Sequence, residues 1–143
     1  MSVLTSDGRI VIYSLPILQH PQPNQVFELQ CQVNIFLPEI TISAFDWLNN
    51  EKNDILACGD QNGNIFLAKI SETESKFEII KTYYQAHSEE ITDLRFFPCN
   101  SEENPLFSSS SNDGFLKIFD THNYEIPLFE IHISKVYHKK KNN

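Results

Sequence analysis

The stretch that decides the fold runs from Ile91 to Asp120 and reads ITDLRFFPCNSEENPLFSSSSNDGFLKIFD. It contains three short strand-forming segments, at Ile91–Phe97, Phe107–Ser110 and Phe115–Phe119, separated by polar residues. The pair Asp113-Gly114 lies between the last two segments, which is a strong local signal for a tight hairpin. The stretch therefore predicts antiparallel β-structure.

The Asx-Gly pair recurs along the chain. Asp7-Gly8, Asn62-Gly63 and Asp113-Gly114 each lie between two apolar runs, at intervals of about 50 residues, which indicates an internal repeat. We predict a type I′ turn at each pair. Such a turn requires positive φ at both central residues, a conformation that Asn and Asp tolerate and Gly adopts freely.

Aligned on these pairs, the sequence divides into units of four antiparallel strands, which is the architecture of a β-propeller blade. Polar connections lead to the expected fourth strands, at Val26–Cys31, Phe77–Tyr84 and Pro127–Ile131. The predicted domain organisation is a blade remnant at about 3–31, a blade at about 38–85 and a blade at about 86–132, together a partial propeller over 1–134, followed by a basic tail at 135–143.

The last unit resembles a WD40 repeat. That family has Gly-His ahead of the first strand and Trp-Asp at the end of the third; this sequence has Ala86-His87 and Phe119-Asp120. The fold class implied is all-β, with WD40-type blades in an incomplete ring. In strand and turn pattern, Ile55–Ile70 and Ser88–Asp120 are also similar to the propeller subunits of the RNA polymerase III general transcription factor complex.

The WD40 resemblance implies that His87, Ser109 and Asp113 form a buried hydrogen-bond relay. Asp113 would orient the imidazole of His87, which would accept a hydrogen bond from Ser109. The relay would be one member short, because Phe119 has no N–H to donate where the family has an indole. The second copy is more degenerate, with Phe36, Asn62 and Ala68 at the His, Asp and Trp positions.

A histidine, a serine and an aspartate together also suggest a hydrolase, but the nucleophile pattern G-x-S-x-G does not occur. We assign no catalytic residue. The five histidines fall in no metal-ligand spacing and no phosphate-binding loop motif is present, so we expect no metal, no cofactor and no small-molecule substrate.

Charge and hydropathy limit the classes of partner that we expect. The net charge is −8 and the pI is about 5.0, which argues against direct nucleic-acid binding by this segment. No apolar run is long enough to cross a membrane, and the N-terminus does not resemble a signal peptide, so we expect a nuclear or cytoplasmic protein that does not contact membranes.

These observations favour a non-catalytic scaffold that binds other proteins of a multi-subunit intracellular complex, with transcription or chromatin as the expected setting. Two alternatives stay open: a propeller enzyme, such as a hydrolase, whose site lies in other blades, and a substrate receptor of a ubiquitin ligase. His122 weakens the second alternative, since it stands where such receptors have arginine after the Trp-Asp pair. Two and a half blades cannot close a ring of four to eight, so we expect either that the sequence is a fragment of a longer protein or that neighbouring copies or partners complete the ring.

Overall fold

The computed structural model describes residues 2–14, 30–50, 53–71, 76–98, 104–122 and 125–133. This part of the protein forms eleven β-strands. They are β1 Ser2–Leu4, β2 Ile10–Ser14, β3 Gln30–Ile35, β4 Ile42–Asn50, β5 Asn53–Asp60, β6 Ile65–Ser71, β7 Lys76–Tyr83, β8 Ile91–Phe96, β9 Leu106–Ser111, β10 Phe115–Asp120 and β11 Phe129–His132.

The strands build three antiparallel sheets in which each strand pairs with the next in sequence. The first sheet contains β1–β3, the second β4–β7 and the third β8–β11, and within the described ranges they do not close into a ring. The all-β class with repeated four-stranded units is thereby confirmed.

One predicted strand differs from the observed one. The strand that pairs with β2 runs Gln30–Ile35 and so continues past the predicted end at Cys31, while residues 26–29 lie outside the described residues. Val33 and Ile35 are buried, and the polar Asn34 between them is exposed. This alternation is that of a strand with one face in the core.

The three Asx-Gly pairs lie in the turns β1–β2, β5–β6 and β9–β10, but the predicted type I′ geometry is wrong. Gly8, Gly63 and Gly114 have φ of 77°, 80° and 81°, whereas none of the three Asx residues before them has positive φ. In the second turn, the N–H of Gly63 donates to Asp60 O, and Asp60 N to Asn64 O. This is a three-residue hairpin loop, in which a type I turn is followed by a left-handed glycine. In such a turn only the glycine needs positive φ.

An apolar core lies between each pair of neighbouring sheets. The core between the first and second sheets contains Ile10, Val33, Ile35, Ile42, Leu56, Cys58, Phe66 and Ile70. The core between the second and third contains Ala44, Ala57, Ile65, Leu67, Tyr83, Ala86, Ile91, Leu94, Phe107 and Phe119. The strands β5 and β6 of the second sheet are therefore buried on both faces, which explains their nearly continuous apolar run.

Polar contacts hold the first strands of neighbouring sheets together. The Ser43 hydroxyl donates to Ile91 O at 2.7 Å, and the Phe96 N–H donates to Asp46 Oδ2 at 2.8 Å. The Trp47 indole donates to Ser2 Oγ at 2.8 Å, which joins the second sheet to the first. These bonds fix how the sheets stack.

Candidate functional site

The structure brings His87, Ser109 and Asp113 together where the third sheet meets the segment that enters it. His87 lies in the connection from β7 to β8, Ser109 in β9 and Asp113 in the β9–β10 turn. The His87 Nδ1 atom is 2.9 Å from Asp113 Oδ2, and its Nε2 atom is 2.8 Å from Ser109 Oγ.

The electrostatics of this group favour a neutral imidazole. Burial lowers the pKa of His87, and this effect outweighs the opposing influence of Asp113. For Asp113, burial raises the pKa, but N–H donors from Phe115, Ser88 and His87 more than offset it, so its net pKa is lowered. The consistent assignment is that Nδ1–H donates to Asp113 while Nε2 accepts from the Ser109 hydroxyl.

The three side chains are arranged like a catalytic triad, but they are not accessible to a substrate as a catalytic triad must be. His87 and Ser109 are each only 1% exposed. An attacking hydroxyl must reach a substrate carbonyl, and Ser109 lies inside the protein. Phe119, at the position of the family tryptophan, is fully buried and stacks on Phe107 with ring centroids 5.3 Å apart. The arrangement can orient backbone segments relative to each other.

In the second sheet, the corresponding β5–β6 turn is stabilised by a different set of hydrogen bonds. Asp60 is buried, and its carboxylate accepts from the backbone N–H groups of Asn62 and Asn64 and from the Asn64 side-chain amide. Phe36, at the family's histidine position, is instead exposed beneath the guanidinium of Arg9, 4.6 Å from the ring centroid. Asp60 was not predicted from the sequence. The signal for it was an Asp two residues before an Asn-Gly pair, an arrangement typical of an Asx turn.

A groove of about 430 Å³ opens between the second and third sheets, next to the buried group of His87, Ser109 and Asp113. Its walls come from the β5–β6 and β9–β10 turns, the β7–β8 connection and the start of β10. The residues that line it are Asn62, Gln85, His87, Ser88, Asp113, Phe115 and Lys117. Lys117 was not predicted either, since one lysine in a strand carries no motif.

Two absences apply to the described part of the protein. It contains no group of three or more His, Cys, Asp or Glu side chains placed to hold a metal ion. It also contains no helix of the length and apolar character needed to span a bilayer.

Three stacked antiparallel sheets with repeated glycine turns define the class of fold: the protein is built of WD40-type β-propeller blades. This confirms the WD40 resemblance. The similarity to RNA polymerase III factor subunits stays a prediction.

Comparisons with known proteins agree with this fold. No protein-family model matches the sequence. A curated relative, histone acetyltransferase type B subunit 2 of Candida glabrata, is 33% identical over 88 residues, which are 62% of this chain and 20% of that protein.

Two solved structures share the architecture. The Chaetomium thermophilum Sqt1 bound to the N-terminus of the ribosomal protein L10 superposes with a TM-score of 0.63 and 18% identity, over 90% of this chain and 30% of that one. Saccharomyces cerevisiae Sqt1 gives a TM-score of 0.64 and 14% identity, over 96% of this chain and 34% of that one. The chain thus spans about a third or less of the length of these proteins.

Proposed function

We propose that the protein is a non-catalytic protein-interaction module, contributing WD40-type blades to a scaffold in a multi-subunit nuclear or cytoplasmic assembly. The observation that carries the proposal is the combination of a rigid stack of sheets with an open groove between two of them. Turns held by buried side chains present surface groups in fixed positions, which reduces the entropy lost when a partner binds.

The similar proteins support a protein partner. The Chaetomium Sqt1 structure contains a bound segment of a ribosomal protein, and the Candida relative is a subunit of a histone acetyltransferase. The second of these supports chromatin or transcription as the setting.

The buried His87, Ser109 and Asp113 serve this function as a structural relay. Asp113 accepts from Ser88 N and Phe115 N while it holds the His87 ring, so one carboxylate joins the entering segment to the β9–β10 turn. The groove wall, which includes both segments, is kept rigid in this way.

The test is purification of the tagged protein from nuclease-treated cells of its source at endogenous abundance. The expected result is a fixed set of proteins in near-stoichiometric amounts, each of which recovers the tagged protein reciprocally. Gly63→Val, which disrupts the packing of the second and third sheets, should lose the set. Recovery of the tagged protein alone would contradict the proposal.

A second measurement tests the absence of catalysis. Hydrolysis of 4-nitrophenyl acetate is compared between the wild-type protein and Ser109→Ala. Equal rates are expected, because the hydroxyl is buried. A rate that depends on Ser109 would contradict the structural role of the relay.

A further inference from the structure

Lys117 occupies a position where the repeat itself does not need a charge. It pairs across the sheet with Ser109, as Phe66 pairs with Cys58 in the second sheet, so Lys117 and Phe66 are equivalent. Phe66 is 5% exposed and belongs to the core between the first and second sheets. The Lys117 side chain is only 15% exposed, so most of it is covered by the protein even though it lines the groove. Burying an ammonium is costly unless it is paired.

The pairing of Lys117 within the protein is incomplete. Its Nζ atom donates to Ala86 O at 2.8 Å, is 3.6 Å from Glu130 Oε2 and lies 5.5 Å from the centroid of the Phe115 ring. The Glu130 side chain is 55% exposed, and 3.6 Å is longer than a direct charge-assisted hydrogen bond. A carboxylate on the paired strand therefore already lies beside this ammonium, without a short hydrogen bond to it.

The rest of the groove is rich in donors. The side chains of Asn62, Gln85 and Ser88 line it and make no hydrogen bond to another described residue. The acidic group in the lining, Asp113, has both oxygens engaged by N–H donors. A ligand in the groove thus meets one ammonium, amide and hydroxyl donors, and the aromatic wall of Phe115.

We propose that this groove binds a carboxylate of a partner protein, seated on Lys117 in place of Glu130 and flanked by the Asn62, Gln85 and Ser88 side chains. The inference rests on the proposed function and specifies its contact. A carboxylate fits better than a nucleic-acid phosphate, because the groove offers one ammonium within a protein of net charge −8, which repels a polyanion. The carboxylate can come from an Asp or Glu side chain of the partner or from its carboxyl terminus.

The experiment follows the amide resonances of the ¹⁵N-labelled full-length protein while short peptides are added. Acetyl-Leu-Glu-Leu-amide is compared with its Gln counterpart, and acetyl-Leu-Leu with its C-terminal amide. The carboxylate member of at least one pair should shift the amides of Ser88, Phe115 and Lys117, and which pair responds identifies the source. Equal shifts from both members of each pair, or no shift in the groove at millimolar peptide, would overturn the proposal.

Variants sharpen the result. Lys117→Met should weaken carboxylate binding about tenfold, while Glu130→Gln should strengthen it by removing the competing group. If Lys117→Met loses the dispersed spectrum of a folded protein, Glu130→Gln alone decides, and unchanged or weaker binding to it counts against the proposal. Inorganic phosphate that displaces the peptide more effectively than acetate would also overturn it.

Failure here is separable from failure of the proposed function. Should the peptides not bind while the tagged protein still recovers its fixed set of partners, the interaction module remains and its contact lies on another surface.

Discussion

Replacing Gly63 by alanine should destabilise the protein by more than its unusual backbone angle explains. At φ +80° an L-residue costs about 1–2 kcal/mol. A Cβ at this position would also lie 2.1 Å from His87 O and 2.9 Å from Glu89 O, both backbone atoms that cannot rotate away. Overpacking of this kind typically costs a further 1–3 kcal/mol, so we expect a total of about 2–5 kcal/mol.

Gly114→Ala is the matched control. Gly114 has φ +81°, but the nearest atom to its added Cβ is the side-chain Nε2 of His132 at 3.3 Å, so the backbone term dominates. Urea denaturation followed by far-ultraviolet circular dichroism should give a midpoint for Gly63→Ala roughly 1 M below that of Gly114→Ala. Coincident midpoints would show that the connection before β8 does not pack on the β5–β6 turn as described.

Two further outcomes are expected. The melting temperature should fall as the pH drops from 7 towards 5. The unfolded protein protonates His87 near pH 6.5, whereas burial lowers the pKa of His87 in the folded state. The neutral imidazole therefore stabilises the fold above pH 6.5, and this contribution is lost as the pH falls below 6.5. His87→Asn should show a shallower slope, and a slope equal to that of the wild type would refute the assignment of a neutral buried imidazole. Asp60→Ala should cost about 1–3 kcal/mol, as measured by urea denaturation, because the buried Asp60 carboxylate accepts three hydrogen bonds from N–H groups of the turn. Asp93→Ala, which removes only an exposed pair with Arg95, should change stability by less than about 1 kcal/mol, and an equal loss in both variants would contradict the role of Asp60.

The repeat could be predicted because its determinants are local. Gly8, Gly63 and Gly114 each stand between two apolar runs in the sequence, which indicates a turn that needs positive φ. The alternation of apolar and polar residues in the runs indicates strands with one buried face. The turn type was mispredicted because it depends on the length of the hairpin loop between the last paired residues of the two strands. An Asx-Gly pair is compatible with a two-residue loop and with a three-residue loop.

The candidate site was only partly visible in the sequence. His87 and Asp113 are 26 positions apart, and only the resemblance to a repeat connected them; the structure places them 2.9 Å apart. Lys117 and Asp60 were missed for a different reason. The significance of Lys117 lies in two partners distant in sequence, Ala86 and Glu130. Asp60 had a local signal in the Asn-Gly pair two residues later, but its burial is apparent only in the structure.

The Phe96 amide gives a direct measure of how the second and third sheets part. Its hydrogen points at the Asp46 carboxylate of the neighbouring sheet, so fraying of β8 from β9 does not by itself expose it to deuterium. Exchange at this amide requires the two first strands to move apart, and its rate reports that opening free energy. One peak in a hydrogen-exchange spectrum can thus follow the joint between sheets under native conditions, without unfolding either sheet.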